Sequence, residues 1–392
     1  MRIAYITPYK GPVLMERRPS LRNLSLSNKV KIELVSHALR AGGHDVEIIS
    51  QGEVDRYEYK YYRGFQEPKG FHPEIPIHYA SSLPIRFVNG IWSKWRTVRL
   101  FQALHRRSPF DLVIIFNMKS GHIGCACHAA RRLRVPVILE YEDDSFVDIL
   151  GRSAGGFKAR HHRKACLRTL QLISGGIAVS PHLLSQFRPE LPRLLLRGVV
   201  GGDISGTNGP MGEGRKNWIL YSGTHTETNG IAQLIQGYGR LRKAGWELHI
   251  TGHGEKTEEF KKLAEPISGI VFHGLVSRKE LVSLLRSARF CVNPQRSSQI
   301  PGNVFPFKII EYLAAGAHVV STPLGGVEKE IERGVSYMPD NEPETIAAAL
   351  DLAIQGRMWE NNAAEYICGT YGPEAVAKSL RALLEQVMAR AA

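Results

Sequence analysis

Residues 305–322 (FPFKIIEYLAAGAHVVST) predict a helix over 306–315, followed at once by a buried strand over 318–321. Proline is favoured in the first turn of a helix, because the N–H group that it lacks would have no intrahelical partner there. Another β-rich run, residues 290–293, precedes this pair. Strand, helix and strand in this order indicate a parallel sheet with right-handed crossovers.

The same alternation extends through both halves of the chain. It predicts strands over 2–7, 45–50, 111–117, 135–141 and 176–180, with helices over 29–41, 123–133 and 156–173. It then predicts strands over 218–222, 247–251 and 269–272, with helices over about 230–244, 256–264, 278–287 and 343–354. Residues 51–108 are aromatic-rich and show no regular pattern, so we expect an irregular segment there.

A glycine-rich segment, residues 198–216, interrupts the alternation and predicts an interdomain linker. It separates an N-terminal domain (1–197) from a C-terminal domain (217–372). The last amphipathic stretch, 373–390, is long enough to pack back onto the N-terminal domain. We therefore expect an α/β protein of two Rossmann-like, doubly wound domains facing across a cleft, with ligands at the carboxyl ends of the strands.

The composition is that of an ordinary globular protein. Of 392 residues, 43% are hydrophobic and 22% are charged, which excludes disordered, collagen-like and coiled-coil chains. There is no apolar run of about 18 residues and no signal-peptide pattern at the start, so we expect a soluble, cytoplasmic protein. The five cysteines are scattered, and Cys125 with Cys127 alone is too little for a zinc site.

The formal net charge of +14 is concentrated in the first half of the chain. Residues 1–190 contain 29 Lys and Arg against 16 Asp and Glu, whereas residues 191–392 contain 22 against 21. A basic field attracts phosphate-bearing partners; a merely solvated face is the alternative. Nucleic acid is disfavoured, because no nucleic-acid-binding motif accompanies the charge. Two tryptophans among cations are more typical of an interfacial membrane contact: Trp92 and Trp95 beside Lys94, Arg96 and Arg99.

The stretch 305–322 resembles the donor-binding signature of glycosyltransferase family 4, retaining enzymes of the two-Rossmann-domain (GT-B) fold. Segments elsewhere are similar to the same family in the same order: 41–46 (AGGHDV), 176–180 (GIAVS), 220–224 (LYSGT), 250–254 (ITGHG) and 271–276 (VFHGLV). The resemblance spans nearly the whole chain. It implies transfer of a sugar from a nucleoside-diphosphate-sugar donor, with no metal and no other cofactor.

Two residues of this signature are suited to donor binding. Lys308 lies in the first helical turn, where the helix dipole disfavours a cation unless a diphosphate binds there too. Glu311, one turn later on the same face, can accept hydrogen bonds from ribose hydroxyl groups. The alternative is an ordinary surface Lys–Glu pair three residues apart. The resemblance adds Phe305, at the start of the signature, to the donor-binding residues.

The sequence departs from the family where the donor sugar would bind. Asn303 stands eight residues before Glu311, a position at which the family often has a glutamate. It can bond a sugar hydroxyl or simply lie in a turn. Gly11 lies in the first loop, where the family places a Gly-rich turn near the diphosphate. That loop is not a G-x-G-x-x-G fingerprint, so NAD binding and a dehydrogenase are disfavoured.

A second departure concerns the diphosphate itself. Residues 223–230 lack the Arg and Lys that often hold it in the family. We expect Gly223, Thr224, Thr226 and backbone N–H groups to substitute. Arg296 is the candidate for the missing charge, with a solvated loop arginine as the alternative.

Three consecutive acids, Glu142, Asp143 and Asp144, follow a predicted strand of the N-terminal domain. The first two fall where family members commonly have His-Asp. Adjacent carboxylates repel one another, so a purely structural role is unexpected unless Lys or Arg compensates. We expect Glu142 and Asp143 to be catalytic, as a base with a raised pKa or as groups that orient the acceptor hydroxyl. A helix cap by Asp143 or Asp144 is the alternative. A metal site is disfavoured, because the resemblance places the donor phosphates in the other domain.

The family resemblance, together with these residues, implies a retaining glycosyltransferase acting on an acceptor hydroxyl, in cell-surface polysaccharide or glycolipid synthesis. The donor would bind the C-terminal domain, and a glycan or lipid-linked acceptor the basic N-terminal domain, peripherally at the inner membrane face. Lys308 would stabilise the charge that develops on the leaving phosphate. Two alternatives stay open: a nucleotide-sugar epimerase of the same fold, and a non-catalytic nucleotide-sugar-binding scaffold.

Overall fold

The computed structural model describes residues 1–21, 26–54, 56–68, 70–118, 121–147, 155–204, 214–241, 243–296, 305–356 and 363–391, except the side chains of 26–27, 121–125 and 157–158. The chain divides into two compact units. The first unit comprises Met1–Val199 together with Pro373–Ala392, and the second comprises Val200–Gly372.

The described part of the first unit contains an eight-stranded sheet. Its strands are β1 (Arg2–Thr7), β2 (Asp45–Ser50), β3 (Phe65–Glu67), β4 (Ile77–Tyr79), β5 (Leu112–Phe116), β6 (Val137–Tyr141), β7 (Gly175–Ala178) and β8 (Arg193–Leu195). Their order is β3-β4-β2-β1-β5-β6-β7-β8, and every pair is parallel except β3 with β4. The central strands are buried on both faces, which explains their continuous apolar runs.

Helices connect these strands. They are α1 (Pro12–Arg17), α2 (Leu26–Ala41), α3 (Asn89–Arg107), α4 (Gly121–Arg132), α5 (Gly156–Leu172) and α6 (Pro181–Ser185), in chain order. The C-terminal helix of the chain also belongs to this unit and packs on α2 and β8. Gly175 in β7 leaves room for it, because a Cβ atom there would lie 2.6 Å from a methyl group of Val387.

The described part of the second unit contains a six-stranded parallel sheet. Its strands are β9 (Lys216–Ser222), β10 (Glu247–Thr251), β11 (Ile270–Gly274), β12 (Ala288–Asn293), β13 (His318–Ser321) and β14 (Val335–Tyr337). Its helices are α7 (Ile231–Leu241), α8 (Thr257–Ala264), α9 (Arg278–Ser287), α10 (Lys308–Ala314), α11 (Lys329–Glu332), α12 (Pro343–Ile354) and α13 (Ala363–Tyr371). The last helix of the chain, α14 (Pro373–Ala391), is the one that packs on the first unit's β8.

The strand order of the second sheet is β11-β10-β9-β12-β13-β14, with all neighbours parallel. This is the 3-2-1-4-5-6 order of doubly wound Rossmann folds. In such sheets the order reverses at the first strand, and ligands bind beyond the carboxyl ends of the strands beside that point. The predicted fold of two Rossmann-like α/β units is confirmed.

One prediction was wrong: residues 51–108 are not irregular. They contain β3, β4 and the 19-residue helix α3. The face that α3 buries is made of Ser93, Thr97 and Phe101. Because two of these three residues are polar, the apolar periodicity that normally indicates a helix is missing.

One helix boundary also differs from expectation. Helix α10 begins at Lys308 rather than at Pro306, since residues 306–310 first form a tighter turn in which Ile309 N–H bonds the Pro306 carbonyl at 3.0 Å. In the glycine-rich segment, residues 198–204 are ordered, and Ile204 is fully buried. Residues 205–213 lie outside the described chain. None of the described helices is both long and apolar enough to span a membrane.

Candidate active site

Helix α10 is held against the carboxyl end of β9 by Tyr312. The Tyr312 hydroxyl accepts a hydrogen bond from Ser222 N–H at 2.8 Å and donates to the Ser222 carbonyl at 3.1 Å. Ser222 is the last residue of the first strand of the sheet, where the strand order reverses. Helix α10 therefore lies where doubly wound folds bind their ligands.

Lys308, the first residue of α10, places its ammonium nitrogen 4.5 Å from the centre of the Tyr221 ring. Burial lowers the pKa of Lys308 to about 7. Among the described residues, no carboxylate lies within salt-bridge distance of this amine. A cation above an aromatic face with no carboxylate beside it is suited to binding an anion.

Glu311 does not pair with Lys308. Its carboxylate accepts a hydrogen bond from Arg278, which begins α9. The other edge of the same guanidinium donates to Asp203, with Nε 2.8 Å from Oδ2 and Nη2 3.3 Å from Oδ1. Burial raises the pKa of Glu311, and the charge of Arg278 opposes that rise. Arg278 thus holds the Glu311 carboxylate in one orientation.

Glycines allow two loops to meet at the ends of β9 and β10. Gly223 N–H donates to the Thr251 carbonyl at 3.2 Å. A Cβ atom on Gly252, whose φ is +122°, would lie 1.9 Å from the Gly223 carbonyl oxygen. A Cβ atom on Gly254 would lie 2.3 Å from the His225 carbonyl oxygen. The G-x-G segment is therefore required first of all for backbone packing beside the site.

The loop after Gly223 carries the other predicted donor residues. Thr224 is exposed, and its carbonyl accepts from Asn229 at 2.7 Å. The hydroxyl groups of Thr226 and Thr228 are 3.3 Å apart. Arg296 is exposed, and its backbone N–H donates to the Thr228 carbonyl at 3.2 Å, which places it beside this loop.

The remaining donor residues lie elsewhere or outside the described chain. Phe305 is buried in the second unit. Asn303 lies outside the described residues. Gly11 belongs to the first unit, immediately before α1, where a Cβ atom would lie 2.8 Å from the Tyr79 hydroxyl. The second unit thus contains Gly223, Thr224, Thr226, Arg296, Phe305, Lys308 and Glu311, and the first unit contains Gly11.

The acids at the end of β6 have partners that sequence reasoning missed. Lys31 of α2 contacts both carboxylate oxygens of Glu142, at 2.5 and 2.6 Å. Burial raises the pKa of Glu142 to about 8, with Lys31 opposing and Glu140 adding to the rise. Glu140 is fully buried and accepts a hydrogen bond from the Tyr5 hydroxyl, and burial raises its pKa as well. A lysine therefore compensates the cluster, which is the condition under which these acids can also have a structural role.

Asp143 and Asp144 have different surroundings. Asp143 accepts a hydrogen bond from Asn117 at 3.0 Å. Asp144 is buried and accepts from His182 at 2.8 Å, from Gln186 at 3.0 Å and from Phe146 N–H at 2.8 Å. Asp144 therefore has a structural role, whereas Glu142 and Asp143 are only partly buried. The described side chains contain no group of three or more His, Cys, Asp or Glu arranged to hold a metal ion.

The two halves of the chain match two family models. "Glycosyl transferases group 1" matches residues 216–356, and "Glycosyl transferase 4-like domain" matches residues 30–192. The chain belongs to the group 1 glycosyltransferases of family 4. Lys308 and Glu311 lie inside the first match, and Lys31, Glu142 and Asp143 lie inside the second. The predicted enzyme class is confirmed.

Known glycosyltransferases are similar over most of the chain. The GDP-mannose-dependent α-mannosyltransferase of Corynebacterium glutamicum is 26% identical over 328 residues, which are 76% of this chain and 69% of that protein. The solved sucrose-phosphate synthase of Thermosynechococcus elongatus has a TM-score of 0.71 at 15% identity and covers 100% of both chains. This likeness confirms the GT-B fold.

The same fold also occurs outside the transferases. A solved structure described as a putative UDP-N-acetylglucosamine 2-epimerase from Listeria monocytogenes has a TM-score of 0.58 at 12% identity, covering 98% of this chain and 95% of that one. Fold alone therefore does not separate a transferase from an epimerase, and the assignment to the transferases comes from the family models.

Proposed function

We propose that this glycosyltransferase is retaining and takes its donor, a nucleoside-diphosphate sugar, on the second unit. The observation that carries the proposal is Lys308. It is a half-buried amine with a lowered pKa at the carboxyl end of the sheet, above the Tyr221 ring, with no described carboxylate in salt-bridge distance. A diphosphate supplies the negative charge that this position lacks.

The neighbouring groups fit the rest of such a donor. Glu311, oriented by Arg278, accepts hydrogen bonds from the ribose hydroxyl groups through the lone pairs that Arg278 leaves open. Thr224, Thr226 and Arg296 donate to the diphosphate from the adjoining loop. The family resemblance also assigns Gly11, Gly223, Phe305 and Asn303 to the donor, with Gly11 near the diphosphate and Asn303 at a sugar hydroxyl.

The proposed step is a front-face substitution at the anomeric carbon. The bond from that carbon to the phosphate oxygen breaks, and the acceptor oxygen bonds the same face. The acceptor proton passes to the leaving phosphate oxygen, so no protein nucleophile is needed. Lys308 stabilises the negative charge that develops on the phosphate. The step uses no metal ion.

The first unit is proposed to bind the acceptor. Asp143, fixed by Asn117, and Glu142, fixed by Lys31, orient the acceptor hydroxyl as catalytic residues. The excess of Lys and Arg in residues 1–190 supports an anionic acceptor, such as a lipid-diphosphate-linked glycan. Such an acceptor belongs to cell-surface polysaccharide or glycolipid synthesis.

The experiment is a donor screen with and without an acceptor. The protein is incubated with nucleotide sugars of each base plus EDTA, and released nucleoside diphosphate and the anomeric configuration of the product are followed by NMR. We expect one donor to be consumed only with acceptor, with its configuration retained, and Lys308→Met to abolish consumption.

Other outcomes would replace parts of the proposal. Conversion of the sugar at C2 without acceptor would make the protein an epimerase, the function that the Listeria likeness leaves in competition. An inverted product would overturn the front-face mechanism. Binding of a donor without turnover by any acceptor would favour a scaffold. Loss of activity in EDTA would overturn the metal-free step.

A further inference from the structure

We infer that helix α3 and the turn before it form a docking surface for an anionic phospholipid bilayer. This α3 surface consists of Phe87, Ile91 and Trp95, flanked by Arg86, Arg96 and Arg99. It lies in the first unit and includes no residue assigned above to the donor or the acceptor. The inference is therefore independent of the proposed reaction.

The polarity of the N-terminal half of α3 is inverted relative to an ordinary surface helix. Its exposed residues Ile91 (71% exposed) and Trp95 (47%), which lie one turn apart, are apolar, and so is Phe87 (82%) in the turn before the helix. Its buried side contains Phe101 but also Ser93 and Thr97, whose hydroxyl groups have no hydrogen-bond partner among the described residues. Large apolar groups facing water while polar groups are buried mark a surface that has a partner.

Cations flank this apolar stripe. The Arg86 guanidinium lies 5.0 Å from the centre of the Phe87 ring. Those of Arg96 and Arg99 lie 5.3 and 5.7 Å from the Trp95 ring. Tryptophan with arginine beside it is the combination found at the headgroup level of bilayers, where the ring is partly apolar and the cation meets lipid phosphate.

The helices beside α3 extend the positive charge. Helix α3 packs on α4, and α4 packs on α5, so the three form one layer. Their sequences contain 12 Lys and Arg and no Asp or Glu. A layer without any acid attracts an anionic lipid surface over a broad area, and each cation near that surface adds to the attraction.

The aliphatic centre of the stripe favours a bilayer over single-stranded RNA. RNA-binding surfaces stack bases on aromatic rings and arginines, and aliphatic side chains offer no face for stacking. Ile91, exposed between Phe87 and Trp95, and Val88 beside it offer only apolar area, which is suited to the acyl boundary of a bilayer.

Vesicle binding by the full-length protein tests the inference. Sedimentation is measured with phosphatidylcholine vesicles and with vesicles that also contain phosphatidylglycerol, together with Trp fluorescence. The variants are Ile91→Asp, which alters the apolar stripe, and Arg86→Glu/Arg99→Glu, which alters the flanking charge. Leu352→Asp and Arg333→Glu, at exposed positions of the second unit, are matched controls. Thermal unfolding verifies that each variant is folded.

We expect binding to the anionic vesicles only, with a blue shift of Trp emission. Ile91→Asp should weaken partitioning about tenfold or more, as loss of a buried Ile side chain predicts. The double charge reversal should weaken it comparably, whereas the controls and Lys308→Met bind as the wild type does. Equal binding to neutral vesicles, undiminished binding of Ile91→Asp, or tighter binding to single-stranded RNA than to anionic vesicles would each overturn the inference.

Discussion

Arg278 joins Glu311 to Asp203. One side of its guanidinium donates a hydrogen bond to the Glu311 carboxylate, and on the other side Nε donates to Asp203 Oδ2 at 2.8 Å. Arg278 begins α9, Glu311 lies in α10, and Asp203 lies in the segment before β9. Because the Glu311 carboxylate is buried, its orientation depends on this arginine.

Arg278→Met is therefore expected to lower the free energy of unfolding by roughly 2–3 kcal/mol, because it leaves Glu311 buried without a counter-charge. Adding Glu311→Gln to this variant should recover part of the loss, since the second change removes the unpaired charge. Urea unfolding of the two single variants and the double variant measures the coupling. Strict additivity would show that the contact contributes nothing.

Donor affinity is expected to fall as the pH rises above 7. Burial lowers the pKa of Lys308 to about 7, so the ligand-free amine loses its proton around neutrality. A bound diphosphate favours the charged amine, so binding above that pH takes up a proton and weakens by at most about tenfold per pH unit. Calorimetry in buffers of different ionisation enthalpy measures this uptake. Lys308→Met should abolish it, and equal uptake in that variant would assign the proton to another group.

Gly252→Ala is expected to disrupt the loops beside the donor. A methyl group there meets the Gly223 carbonyl at 1.9 Å, in addition to the cost of a φ of +122°. Gly245→Ala is the matched control, because Gly245 also has a positive φ (+78°) but no atom within 4 Å of the added Cβ. We expect the control to lose about 1 kcal/mol of stability and Gly252→Ala to lose more and also to bind donor poorly. Similar melting temperatures for the two variants would contradict the packing argument.

The Glu142–Lys31 pair predicts a specific dependence of stability on pH. The pKa values of Glu142 and its neighbour Glu140 are both raised, that of Glu142 from 4.5 to about 8, so the folded chain holds a proton on this pair that the unfolded chain has released. Between those values the unfolding free energy should therefore fall as pH rises. Glu142→Gln should flatten this slope. An unchanged slope in urea unfolding of that variant would place the titration elsewhere.

Lys31→Met tests the same pair from the other side. Above pH 8, where Glu142 is charged, loss of the lysine should lower the unfolding free energy by roughly 3 kcal/mol. At acidic pH, where the carboxyl group is protonated, the loss should be smaller. A cost that does not depend on pH would mean that Lys31 acts by packing alone.

Local sequence patterns predicted most of the strands, because buried parallel strands such as β5 are continuous apolar runs. They also predicted the helix at Lys308. They failed at α3, where two of the three buried residues are Ser93 and Thr97 and the apolar Ile91 and Trp95 are exposed. A pattern that reflects burial cannot identify a helix whose polarity is inverted.

The partners of the site residues could not be predicted for a different reason. Arg278 precedes Glu311 by 33 residues, and Lys31 precedes Glu142 by 111. The order of the strands in the sheet brings such residues together, so the local spacing of residues in the sequence cannot predict these pairs. From the sequence, a cation beside Glu142 was only the condition for a structural role, and nothing in the local pattern identified Lys31.

The central claim is that Lys308 and Glu311 bind a nucleoside-diphosphate sugar, and thermal unfolding with a panel of such ligands tests it most directly. One ligand at about 100 times its dissociation constant should stabilise the protein by roughly 2.7 kcal/mol. We expect the wild type and Ile91→Asp to be stabilised by this amount, and Lys308→Met and Glu311→Gln not to be stabilised. Equal stabilisation of all four proteins, or of none by any ligand, would contradict it.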